Sequence, residues 1–186
     1  SDVYKRQATD FGDLTSARVY VGAHSSATRG VIGGGRTTNF AVTGQDFIDY
    51  ITIASTGNGT DFGNLTVGRN MLGSCNSSTR GIFFGGATDA AAAAVNTIDY
   101  ITIASTGDAT DFGDTSNSTD FQKLAGTSSS TRGVFGGGYQ QDGFSAVPKD
   151  HIEYITIAST GNGTDFGNLT ASVSYTHLTL PTTVSV

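Results

Sequence analysis

The chain has no tryptophan and one cysteine, and its few basic residues never form a run. A single Cys75 excludes an internal disulfide, and with it a disulfide-stapled secreted module, though not an extracellular location. Against 10 Lys and Arg stand 16 Asp and Glu, for a formal net charge of −6. Nucleic acid is therefore not an expected partner, because phosphate contacts need clustered cations. No stretch is long and apolar enough to span a bilayer. The 26 glycines, set among many Ser and Thr, would suit a disordered chain. The recurring Ile, Val and aromatic residues argue for order instead, since disordered segments are poor in them.

What is present is repetition. Ile48-Asp49-Tyr50-Ile51-Thr52-Ile53-Ala54-Ser55-Thr56-Gly57 returns unchanged at 98–107, and again at 152–161 with Glu153 in place of the Asp. Asp10-Phe11-Gly12 recurs at 61–63, 111–113 and 165–167, in steps of 51, 50 and 54 residues. Thr28-Arg29-Gly30 recurs at 79–81 and 131–133, each time leading into a glycine cluster. A fixed period near fifty residues marks one supersecondary unit stacked on itself.

Each unit reads as four strands. The first lies near Arg18 to Ser25 and the second runs from Thr28 into the glycines. The third is the decamer, rich in the β-branched and aromatic residues that suit a pleated surface. The fourth spans about Thr60 to Val67, after the Gly57-Asn58-Gly59 turn. Ile48 and Tyr50 point to one face of the third strand, Ile51 and Ile53 to the other. A strand apolar on both faces belongs to a sheet covered on both sides. The expected class is all-β: about three four-stranded antiparallel sheets stacked on one another.

The order of Thr-Arg-Gly, a glycine cluster, a variable loop, Asp-Tyr, Ser-Thr-Gly and Asp-Phe-Gly resembles the kelch repeat of β-propellers. That family carries a glycine pair ending the second strand, a Tyr in the third and an aromatic, commonly Trp, opening the fourth. Phe62, Phe112 and Phe166 take the Trp place here. The resemblance implies blades at 17–67, 68–120 and 121–172, with 8–16 as the end of a preceding blade. It also implies more blades than three, since closed propellers have about four to eight. An open arc then exposes sheet faces and blade edges, through which self-association is expected.

The two ends look foreign. Residues 2–7 back-translate as GAT GTG TAT AAG AGA CAG, and residues 173–178 as GTC TCT TAT ACA CAT CTG, close to its reverse complement. This resembles a transposase-type sequencing adapter, so residues 1–7 and 173–186 are read as adapter-like artefact.

The copies differ most between the glycines and the decamer, in loops 36–47, 87–97 and 139–151. Repeat proteins place ligand contacts where per-repeat differences gather. The candidate binding residues are Arg36, Asn39 and Phe40 in the first loop, and Tyr139, Gln140, Gln141, Asp142, Phe144 and Lys149 in the third.

Other motifs read as architecture. Asp108, Asp111 and Asp114 lack the alternating oxygen ligands of a calcium loop and read as turn residues that accept local backbone hydrogen bonds. Gly33-Gly34-Gly35 lacks the Gly-Lys-Ser/Thr of a phosphate loop and suits close strand packing. Arg29, Arg80 and Arg132 recur with Asp49, Asp99 and Glu153, which suggests an ion pair or hydrogen bond within each blade. His24 and His151 fall at non-equivalent positions without metal-ligand spacing, so no metal or cofactor is expected.

The function expected is non-catalytic: a binding or structural module. Its near-identical Ser/Thr/Gly-rich repeats resemble those of tailed-phage virion, tail and adhesion proteins, with a protein or glycan as partner. The alternatives that the propeller resemblance implies are a secreted carbohydrate-binding surface protein and the scaffold of a galactose-oxidase-like enzyme.

Overall fold

A computed structural model describes residues 8–37, 44–88, 94–116, 122–142 and 145–173. The first sheet holds β1 (Gly22–Ser25), β2 (Arg29–Gly33), β3 (Phe47–Thr52) and β4 (Thr60–Asn64). The second holds β5 (Gly73–Asn76), β6 (Arg80–Phe84), β7 (Thr97–Thr102) and β8 (Thr110–Asp114). The third holds β9 (Ala125–Ser128), β10 (Arg132–Gly136), β11 (Tyr139–Asp142), β12 (Ser145–Thr156) and β13 (Thr164–Val173). Every pairing is antiparallel. The first two sheets are simple four-stranded meanders. All three form an open stack, and among the described residues no helix is long and apolar enough to cross a membrane.

The decamer is only half a strand. β3 ends at Thr52, and Ile53 to Gly57 turn the chain toward β4. The third variable loop is not a loop: β11 and β12 pair from Tyr139↔Pro148 to Asp142↔Ser145 as a hairpin projecting from the third sheet. Asp142-Gly143 between β-forming flanks is a short-range hairpin signal, which the loop reading passed over.

The sheets pack face to face. Val31, Ile48, Phe62 and Leu65 of the first repeat form one core with Leu72, Phe83, Ile101 and Ile103 of the second. Cys75, Ile82, Ile98 and Phe112 of the second form another with Leu124, Phe135, Ile155 and Ile157 of the third. The middle sheet is therefore covered on both faces, as its doubly apolar third strand requires.

Backbone contacts lock this stacking. Gly107 and Ala109, in the turn before β8, donate N–H to the Phe62 and Asn64 carbonyls of the preceding sheet at 2.7 and 2.8 Å. Gly161 and Gly163 do the same to Phe112 and Asp114. Gly57 and Gly59 donate to Phe11 and Asp13, so that segment takes toward the first sheet the place β4 takes toward the second. The glycine of Asp-Phe-Gly makes this approach possible. Gly63 has φ +144°, and a Cβ there would collide with the Gly107 carbonyl.

Candidate functional site

The recurring charges serve the frame, but not in the pairs the sequence suggested. Asp99 is buried against Arg69 at 2.8 Å, not against Arg80. Its other oxygen accepts from the Thr66 hydroxyl at 2.5 Å. Asp49 repeats the pattern with Arg18 at 2.6 Å and the Thr15 hydroxyl at 2.7 Å. Each acid thus pins the incoming connection to its own sheet. In the third repeat the equivalent of Arg18 and Arg69 is Phe121, outside the described residues. There Glu153, one methylene longer, meets His151 Nε2 at 2.9 Å and the Ser116 hydroxyl at 2.5 Å.

The arginines of Thr-Arg-Gly lie elsewhere. Arg29, Arg80 and Arg132 sit over Tyr50, Tyr100 and Tyr154 at 4.4, 4.3 and 4.4 Å, a favourable cation–ring geometry. Phe62, Phe112 and Phe166 stand nearly perpendicular to the same tyrosines, with ring centres 6.0 Å apart. Arg29 and Arg80 then reach the Ile103 and Ile157 carbonyls of the following sheet at 3.0 and 2.7 Å. Their bonds run between sheets, not within one. Equivalent residues line clefts of about 130 Å3 beside Tyr50 and about 220 Å3 beside Tyr100, with Asp108 in the second where the first has Asn58.

The Asp and Asn residues of the turns divide into two kinds. Asp10 and Asp165 accept from the N–H two residues on, as expected of turn residues. Asp108, Asn58 and Asn162 instead reach across to backbone N–H groups of the neighbouring repeat, at Asn64, Asp13 and Asp114.

Where the copies differ, side chains gather. Tyr20, Met71 and Lys123 are equivalent residues, each two positions before the first strand of its sheet. All three have left-handed backbone, with φ of 60, 57 and 56°. For residues other than glycine this costs about 1 kcal/mol each. The turn lets Met71 donate to the Tyr20 carbonyl at 3.0 Å and Lys123 to the Met71 carbonyl at 2.9 Å, linking the three repeats at one end.

Two of the sequence candidates join this row. Arg36 pairs with Val19, and Tyr139 occupies the same place opposite Gln122. The Arg36 guanidinium lies 5.0 Å from the Tyr20 ring centre. Lys123 Nζ stands 5.9 Å from Tyr20 and 5.0 Å from Tyr139. The Tyr139 hydroxyl donates to Met71 Sδ at 3.6 Å. Tyr20 keeps 46 % of its surface open to solvent.

The remaining candidates fall around it. Gln140 is half-buried in β11, opposite Val147. Lys149 in β12 donates its N–H to Gly138 at 3.0 Å. Gln141 and Asp142 lie in β11, and only their backbone is described. Asn39, Phe40 and Phe144 lie outside the described residues. Sequence reasoning missed Tyr20, Met71 and Lys123. Their signal was the change of one letter per repeat, two residues after Arg18, Arg69 and Phe121.

Two reactive side chains are packed away instead. His24 is 8 % exposed and packs against Phe83 with the rings tilted and their centres 4.7 Å apart; burial pushes its imidazole down to about 4. Cys75 occupies the equivalent place in the second repeat, over Gly133, and burial pushes its thiol up to about 12. No protein-family model and no curated protein matches the chain.

Proposed function

We propose that the chain is a non-catalytic binding module, built as part of a kelch-like β-propeller, that takes an acidic glycan at the Tyr20–Arg36–Lys123–Tyr139 end. The observation carrying this reading is the strained, three-residue row. It spends unfavourable backbone on bringing unlike side chains together, whereas the Thr-Arg-Gly, Asp-Phe-Gly and strand-three tyrosine positions repeat the same residue. A half-exposed tyrosine ring offers a flat apolar face for a sugar. Two cations beside it, on an acidic chain, supply a local field for a carboxylate. The buried, hard-to-ionise thiol of Cys75 supports a packing role and weighs against the oxidase scaffold.

Such a module suits the surface of a virion, in a tail or adhesion part that meets cell-surface polysaccharide. The near-identical Ser/Thr/Gly-rich repeats support that placement by resemblance. The test is an NMR titration of the full chain with an oligouronate, beside a neutral oligosaccharide of equal length. Shifts centred on Tyr20 and Lys123 with the acidic ligand, weakened about tenfold in Lys123→Ala, bear the reading out. Equal response to both sugars, or none at this end, contradicts it.

A further inference from the structure

We propose that the outer face of the third sheet docks the first sheet of a second copy of the chain, head to tail. The same interface already occurs twice within the molecule. On its giving side stand a Tyr–Phe pair, an arginine over the Tyr and the glycine of Asp-Phe-Gly. On its receiving side stand the Ile-x-Ile pair and the Ser-Thr-Gly turn that follows it.

The third sheet presents the giving set again. Phe166 is 56 % exposed, against 2 % for Phe62 and 3 % for Phe112. Arg132 holds the same seat over Tyr154 but is exposed, where Arg29 and Arg80 are half-buried under the next sheet's carbonyls. A Cβ on Gly167 would meet nothing within 4 Å, although its φ of +133° keeps the conformation that makes room for a neighbour at Gly63 and Gly113.

The first sheet presents the receiving set. Ile53 is 43 % exposed, against 1 % for Ile103 and Ile157. The occupant that fits the third sheet is therefore a sheet carrying this turn with its Ile-x-Ile pair still open to water, which the first sheet of another copy supplies. Gly57 and Gly59 already hold the Phe11 and Asp13 carbonyls. Docking exchanges that segment for Asp165-Phe166-Gly167-Asn168 of the incoming copy, which matches Asp61 to Asn64 letter for letter. Backbone bonds are swapped one for one while both apolar faces leave water. Such a heterologous contact continues until it closes as a ring or grows as a filament. It holds whatever ligand the other end takes.

Sedimentation velocity of the full chain over a concentration series, with Phe166→Asp and Ile53→Asp, tests the proposal. Both side chains are exposed in the single copy, so each variant is expected to fold, with circular dichroism as the check. The parent should associate progressively, and each variant should weaken association at least about 30-fold. An equimolar mixture should form a heterodimer and nothing larger, because it holds one intact face of each kind. The mixture also reports folding, since both variants must be folded to pair. A parent that stays monomeric, a single variant that associates like the parent, or a mixture that stays monomeric overturns the proposal.

Discussion

Asp99 ties the incoming connection to its sheet, as Asp49 does in the first repeat. It accepts from the Thr66 N–H and hydroxyl and from Arg69, whose other donors reach the Val67, Phe83 and Gly85 carbonyls. A buried pair contributes little net stability over an apolar isostere, but removing one partner strands the other. Arg69→Met is expected to cost about 3–5 kcal/mol, and Arg69→Met with Asp99→Leu clearly less than either change alone. Arg80→Met removes a ring contact and one hydrogen bond at a half-buried site, and should cost about 1–2 kcal/mol. Urea unfolding midpoints order the four proteins; equal losses for Arg69→Met and Arg80→Met would contradict this division of roles. Pairing the charges by recurrence alone failed for a physical reason. The true partner, Arg69, lacks a third counterpart because Phe121 stands there, whereas the arginine that recurs three times is held by a tyrosine.

His24 gives the molecule a pH dependence at the same scale. Its folded imidazole titrates near 4 rather than 6.5 because burial disfavours the cation. The unfolded chain therefore takes up the proton first. His24 contributes no penalty above about pH 6.5, and stability falls as the pH drops from there toward 4, by about 3 kcal/mol in all. His24→Leu should flatten that part of the stability curve while leaving the loss common to the carboxylates. Parallel curves for parent and variant between pH 6.5 and 4 would refute the assignment.

At the scale of elements, four strands per unit were legible because the repeat printed each of them three times. The fourth strand and the turn before it were legible as a motif but not as an interface. Nothing in Asp-Phe-Gly alone says that its glycine presses on the next turn. Substitution separates conformation from collision. Gly63 and Gly167 share a left-handed φ, so alanine strains the backbone at both by about 1 kcal/mol. Only at Gly63 does the new Cβ collide with a neighbouring carbonyl, and Gly63→Ala should cost about 2 kcal/mol more than Gly167→Ala. Equal thermal shifts for the two variants would count against the stacking.

The binding end was half legible. Arg36 and Tyr139 stood out because whole loops differ between copies. Tyr20, Met71 and Lys123 sit where the sequence reads as the start of a strand, and nothing in a tyrosine, methionine or lysine side chain announces a left-handed turn. The strain gives a prediction of its own: Lys123→Gly should raise stability by roughly 0.5–1 kcal/mol while weakening oligouronate binding. A variant that loses both stability and binding would mean that the row is architectural.

For the whole molecule, one recurring contact docks sheet on sheet. Gly107 and Gly161 report on it directly. Both are exposed turn residues, yet their N–H groups are bonded to the preceding sheet at 2.7 and 2.8 Å. Amide hydrogen exchange measured residue by residue is the decisive measurement. Gly107 and Gly161 are expected to exchange as slowly as the interiors of β7 and β12. Protected strands with fast exchange at both glycines would mean that the sheets form without docking, and the stacked architecture would fall.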